Sequence, residues 1–433
     1  MSKEMELYRE FIREISDALV LAQKPIRILD SIKWDAHIEK EFLKNPKDFD
    51  LRRLQKEYYQ TKELNFDAGK KLAEFQAIRD RVRLKLGVHD PLGQIIVRNC
   101  LQYEDVIHML LHRGTPEFYQ YSKKLYGSPN EIMDDGSQRL NELGKTLNDI
   151  LAGIGKTNDD DQVKNLSAED VVSQLQKKLD HFFKGEKIKV KLSDGIISDA
   201  SAGSDYIKVK KGAMFSKRDV HVFEVHEGWV HLGTTLNGKN QSYAHWLHKG
   251  PPCATVTQEG LAVMMEVFNF AITPDRARRL NNRLVACDMA EQGANLKEVM
   301  NYFLELGLTP EQAFNSAARV FRGGDPEGGA PFTKDISYCK GFINTYNFVR
   351  SCVRKGRTEL IPFLFVGKVT LEEIPILYEY SLGKMIDAPK YLPPQFSDMK
   401  GLIVWMAFSN FLNKMKLDQI PDQTTIRHFK KSA

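Results

Sequence analysis

His226-Glu-Gly-Trp-Val-His231 places two imidazoles five residues apart around a carboxylate. Two histidines and a glutamate at short range are the residue types that hold and use a catalytic metal. The spacing constrains the backbone. A regular α-helix turns about 100° per residue, so positions four apart share a face and positions five apart diverge by about 140°. Both imidazoles reach one ion only if the helix is locally unwound, most simply by a π-type bulge, and Gly228 inside the stretch tolerates such a distortion best. Catalytic zinc takes three protein ligands and keeps a position for water. Gln258-Glu-Gly-Leu-Ala262 offers Glu259 as the third, 28 residues beyond His231, at the start of an otherwise apolar helical segment. Glu266 lies two turns further on much the same face, as an alternative ligand or as a partner that orients an imidazole.

Working outward, the chain before this site reads as successive helices, with apolar residues at three-and-four spacing in Leu7–Leu21, Ala73–Leu86 and Val106–Leu111. A polar stretch from Gly155 to Asn165 carries three consecutive aspartates and reads as an exposed connection. Ser167 caps a helix expected to run to about Lys184, with Gly185 ending it. The period then changes from 3.6 to 2: Lys187-Ile-Lys-Val-Lys-Leu192 and Tyr206-Ile-Lys-Val-Lys210 alternate apolar with polar residues, as short half-buried strands do. Helical patterning returns from Asp219 onward. The expected organisation is a mostly helical α+β protein with an amino-terminal helical region over residues 1–185 and a catalytic domain with a small sheet over 186–433.

The 433 residues carry 62 basic and 57 acidic side chains, a net charge of +5 spread thinly along the chain, so nucleic acid is not expected as a partner. Five widely separated cysteines without a CxxC pair exclude a disulfide framework and a thiolate zinc cluster, and fit a reducing compartment. The charged amino end lacks the apolar stretch of a signal peptide, and the longest apolar run, Leu402 to Phe408, is far too short to span a bilayer. A cytoplasmic protein without a membrane partner is expected.

The HExxxH stretch, followed by Leu236-Asn-Gly, Gln258-Glu-Gly-Leu-Ala262, Arg322-Gly-Gly, Phe332-Thr-Lys-Asp335 and Tyr338, resembles the bacterial QEGLA-motif family, whose members are named as modulators of flavohaemoglobin expression. That family is similar in turn to the microtubule-associated tyrosine carboxypeptidases, zincin-like enzymes that remove a carboxyl-terminal tyrosine from tubulin. The resemblance covers about residues 186 to 350. It implies a zincin-like metallopeptidase domain with one zinc per chain on His226, His231 and Glu259, and Glu227 as the base that activates water. Gly228-Trp229 and the segment Tyr243–Lys249 depart from the expected pattern and bear on substrate preference.

Other residues carry further roles. Arg322 and Lys334 offer cations for the free carboxylate of a peptide, against the plainer reading of a surface pair. Tyr338 offers a hydroxyl to a tetrahedral oxyanion, against simple core packing. His245 and His248 read as a solvated pair rather than ligands, and Met264, Met265, Phe268 and Phe270 as core. The expected function is a zinc metallocarboxypeptidase acting on the carboxyl-terminal tail of a peptide or protein. The alternatives are a regulatory or structural zinc protein without turnover, and another zinc hydrolase such as an aminopeptidase or amidase. A retained Glu227 favours the enzyme, since a structural site needs no general base.

Overall fold

Helix starts in this chain are written in its capping residues. Ser167 accepts from the Asp170 N–H while Asp170 returns a bond to the Ser167 N–H, and Ser216 and Asp219 repeat the arrangement one element before the HExxxH stretch. The computed structural model describes residues 3–133, 136–154, 163–196 and 198–414. Most of the connection expected at 155–165 therefore lies outside the described residues.

The principal helices before the sheet are α1 (Lys3–Gln23), α2 (Ala68–Leu86), α3 (Pro91–Leu111), α4 (Pro116–Tyr126) and α5 (Ala168–Phe182). The last ends two residues earlier than the sequence suggests, with Gly185 at φ +90° just beyond it. Strands β1 (Leu166–Ser167) and β5 (Met214–Phe215) form an antiparallel pair that brackets a three-stranded sheet of β2 (Lys189–Ser193), β4 (Tyr206–Lys210) and β3 (Ala200–Ala202), in that spatial order. β2 and β4 run parallel, with Val190 opposite Ile207 and Leu192 opposite Val209, whereas β3 runs antiparallel to β4. The period-2 pattern is honoured: Val190, Ile207 and Val209 turn inward onto Leu175 and Leu179 of α5.

After the sheet come α6 (Lys217–Phe223), a π-helical segment over Glu224–Leu232, α7 (Gly233–Lys239), α8 (Ala254–Phe268), α9 (Pro274–Glu291), α10 (Pro310–Phe321), α11 (Ser337–Arg354) and α12 (Lys400–Leu412). The protein is thus a mostly helical α+β fold, with two small sheets among the described residues. Its hydrophobic clusters each draw on both sides of residue 185: Ile12, Phe75 and Ile107 pack with Val225, Leu261 and Phe365, and Trp34 and Phe42 pack with Leu284 and Phe314. The amino-terminal helices and the remainder share their cores.

One crossing fixes the depth of the site. α8 and α11 meet through Gly260 and Gly341, so closely that a Cβ on Gly260 would lie 1.9 Å from the Gly341 carbonyl carbon, and one on Gly341 would lie 2.0 Å from the Val256 oxygen. Only hydrogen fits at these two positions.

Candidate metal centre

The HExxxH stretch is π-helical along its whole length, from Glu224 to Leu232. Pairing of each N–H with the carbonyl five residues back winds the helix more slowly, which turns residues five apart toward one face and reduces the 140° divergence of a regular helix. The imidazoles of His226 and His231 consequently face each other edge to face, with ring centroids 4.8 Å apart. Gly228 does not supply the distortion through an unusual dihedral, since its φ is not among the positive ones. Its contribution is steric: a Cβ there would lie 2.7 Å from the Leu179 side chain, so the missing side chain lets α5 close over the segment.

α8 brings Glu259 against both rings. Its Oε2 lies 3.7 Å from His226 Nε2 and 3.6 Å from His231 Nε2, and is buried without a hydrogen-bond partner among the described residues. One ligand atom from each of His226, His231 and Glu259 falls within 4.8 Å of the others. An orphaned, buried carboxylate oxygen facing two imidazole nitrogens fits a metal ion of the borderline kind that takes nitrogen and oxygen together. Burial alone would raise the Glu259 carboxyl; Lys334 and the two imidazoles override it and hold the carboxyl well below the usual range. Lys334 Nζ donates to Glu259 Oε1 at 3.3 Å.

Glu266, seven residues further along α8, is fully buried and 2.6 Å from His226 Nδ1. Arg276 at the start of α9 grips the same carboxylate in a fork, Nε to Oε2 at 2.5 Å and Nη2 to Oε1 at 2.7 Å. Burial pushes the Glu266 carboxyl up, but Arg276 and His226 outweigh it and bring it to about 2. Of the two places open to Glu266 in the sequence, the structure puts it behind His226 as an orienting partner. Glu227 points the other way, toward the sheet edge: its Oε2 accepts the Ala202 N–H of β3 at 2.8 Å, and its Oε1 is 4.0 Å from His226 Nε2.

The structure therefore brings His226, Glu227, His231, Glu259 and Lys334 together. Tyr338, at the first turn of α11, is half-buried beside them, its ring under the Arg283 guanidinium at 4.7 Å and 6.0 Å from Lys334 Nζ. Arg322 is not drawn in. Its guanidinium is buried beside Arg319, Asp335 and Tyr59, and burial pulls it down to about 10. It is Arg319, one turn earlier on α10, that lies within electrostatic reach of Glu259, and it is locked in a fork with Asp335 at 2.6 and 2.7 Å. His245 is bound to Asp17 of α1 at 2.6 Å and His248 to the His245 carbonyl, so neither is presented to the centre.

Sequence reasoning missed several groups. Arg276, Arg279 and Arg283 recur at three-and-four spacing on α9, a pattern that reads as an ordinary solvated face, yet Arg276 is tied into the centre and Arg283 covers Tyr338. Lys368 follows a loop glycine and carries no sequence signal. Burial pulls its ammonium down, against the charges of Glu259 and Glu227, and it has no hydrogen-bond partner among the described residues.

The profile of the microtubule-associated tyrosine carboxypeptidases matches residues 41–414. The chain belongs to this carboxypeptidase family. The match extends well to the amino-terminal side of the 186–350 stretch that carries the recognisable motifs, in keeping with cores shared across residue 185. Among solved structures, Trypanosoma cruzi metallocarboxypeptidase 1 is similar at 11% identity, with 94% of this chain and 98% of that chain covered and a TM-score of 0.36. No curated protein matches the chain. Like the rest of the described chain, the centre is built without disulfides, all five cysteines being free.

Proposed function

We propose that this member of the tyrosine carboxypeptidase family is a zinc-dependent carboxypeptidase that removes a terminal residue from the tail of a peptide or protein. The observation that carries the reading is the Glu259 carboxylate oxygen, buried and unbonded opposite two imidazole nitrogens. His226, His231 and Glu259 hold one zinc per chain. When bound, zinc polarises the scissile carbonyl and brings a water molecule toward deprotonation at neutral pH.

The remaining chemistry belongs to side chains. Glu227 accepts the proton of the attacking water and passes it to the leaving amine. Its hydrogen bond from the Ala202 N–H holds the carboxylate at the edge of the sheet. Tyr338 donates to the developing oxyanion. Lys334 and Lys368 supply the cations that a free terminal carboxylate needs, in place of the buried Arg322. An aminopeptidase would instead need a spare acidic group for the substrate amine, whereas the nearby Glu266 and Asp335 are each forked by an arginine and Lys334 and Lys368 add positive charge.

Lys334, which donates to Glu259, also lines a cavity of about 340 Å³ together with Arg27, Asp30, Lys249, Tyr103, Tyr126 and Pro251. Its aromatic and apolar lining supports a bulky aromatic terminal residue, tyrosine among them, as the one released. Peptides varied at both ends, incubated with the zinc-loaded protein and read by mass spectrometry, test this. Loss of a single aromatic residue from the carboxyl end, abolished by a chelator, is expected. Trimming from the amino end would overturn the reading.

A further inference from the structure

α12 carries two apolar faces, and among the described residues one is seated on the protein while the other is met only by the Phe268 ring, 6.4 Å from that of Trp405. Leu402 and Met406 are buried, Ser409 shares a hydrogen bond with Tyr346 of α11, and Asn410 donates to the Arg350 carbonyl, so this side is seated on the protein. On the other side Val404, Trp405, Phe408, Phe411 and Leu412 are between 51% and 64% exposed. At about 100° per residue these five fall within an arc of roughly 120°, opposite the seated face. From Gly401 to Asn413 the helix has no charged residue. A helix apolar all round is ordinarily buried, and an exposed stripe with three aromatic rings marks a surface that meets something.

The flanking charges indicate what it meets. Lys400 precedes the stripe and Lys414 and Lys416 follow it, with no acidic residue between Asp398 and Asp418. The remaining sequence adds Arg427, Lys430 and Lys431 against Asp418 and Asp422. A second copy pairing through the same stripe would set lysine against lysine in either orientation, with no acidic group in the stretch to balance them. An anionic surface accepts the lysines, and tryptophan, phenylalanine and leucine are the residues that enter the boundary between lipid headgroups and acyl chains.

We infer that the exposed face of α12 docks this protein on an anionic lipid surface, lying in the interface without crossing it. No helix among the described residues is long and apolar enough to cross a membrane.

Vesicle co-sedimentation of the full chain tests it, using phosphatidylcholine alone and phosphatidylcholine with phosphatidylglycerol, beside the double variant Phe408→Ser and Phe411→Ser. Binding at least about tenfold stronger to the anionic vesicles and weakened by salt is expected. The double variant should lose it while keeping its thermal midpoint and its peptide cleavage. Absence of binding by the wild type would overturn the inference, as would equal binding by the variant. So would a wild-type dimer, seen by light scattering, that the variant converts to monomer, because the stripe would then belong to a second copy.

Discussion

Nδ1 of His226 lies 2.6 Å from Oε1 of Glu266, a carboxylate with no solvent exposure that is itself forked by Arg276. The chain of contacts runs from α9 through α8 to the π-helical segment. It fixes the imidazole so that Nε2 is left facing Glu259, and it keeps a buried carboxylate charged where burial alone would protonate it.

Removing that support should loosen the centre without removing a ligand. Glu266→Gln and Arg276→Met are each expected to weaken zinc binding by about 10- to 100-fold in a competition titration with a chromogenic chelator. Arg276→Lys should recover part of the loss, since it restores charge without the fork. Unchanged affinity in both primary variants would show that His226 is oriented by its packing alone.

Gly260→Ala tests the helix crossing. The added methyl would meet the Gly341 backbone, and backbone yields less readily than a side chain. A destabilisation of about 3 kcal/mol or more is expected, read as a thermal midpoint lower by about 5 °C or more, together with reduced zinc content because Glu259 is the adjacent residue. A variant with wild-type stability and metal content would mean that α8 and α11 can part without cost.

Glu373 supplies a pH test away from the centre. Burial pushes its carboxyl up to about 7; one oxygen accepts the Thr370 N–H at 3.0 Å and the other has no hydrogen-bond partner among the described residues. The unfolded value is about 4.3. Between these values the folded state holds the proton more tightly than the unfolded one, so this group's contribution to stability is present below about pH 4.3 and is lost as pH rises toward 7. Thermal midpoints at pH 5 and pH 8 should therefore fall further in the wild type than in Glu373→Gln. Parallel shifts would show that the carboxyl is not perturbed.

Much of the centre was legible because its constraints are local. Five-residue spacing in His226 and His231 demanded an unwound helix, and the segment is π-helical; apolar alternation at Lys187–Leu192 and Tyr206–Lys210 demanded strands, and strands are present at Lys189–Ser193 and Tyr206–Lys210. What stayed hidden depends on contacts distant in sequence. Gly260 is read in the sequence as part of a motif, but its reason is Gly341, a residue on another helix. Arg322 and Arg319 are equivalent as sequence, both basic and near the end of one helix, and only the packing shows that the fork to Asp335 belongs to Arg319. The helical region before residue 185 offers no motif because its contribution is apolar, through residues such as Ile12 and Trp34 in shared cores.

The division of labour between Glu227 and the ligands is the centre of the account, and Glu227→Gln addresses it most directly. The substitution preserves size and an oxygen for the Ala202 N–H while removing basicity. Zinc content and peptide cleavage measured on the same purified sample should separate: about one zinc per chain retained, with release of the terminal residue slower by about 100-fold or more. Cleavage at the wild-type rate would contradict the assignment of Glu227 as the base, and loss of the zinc would make Glu227 a ligand.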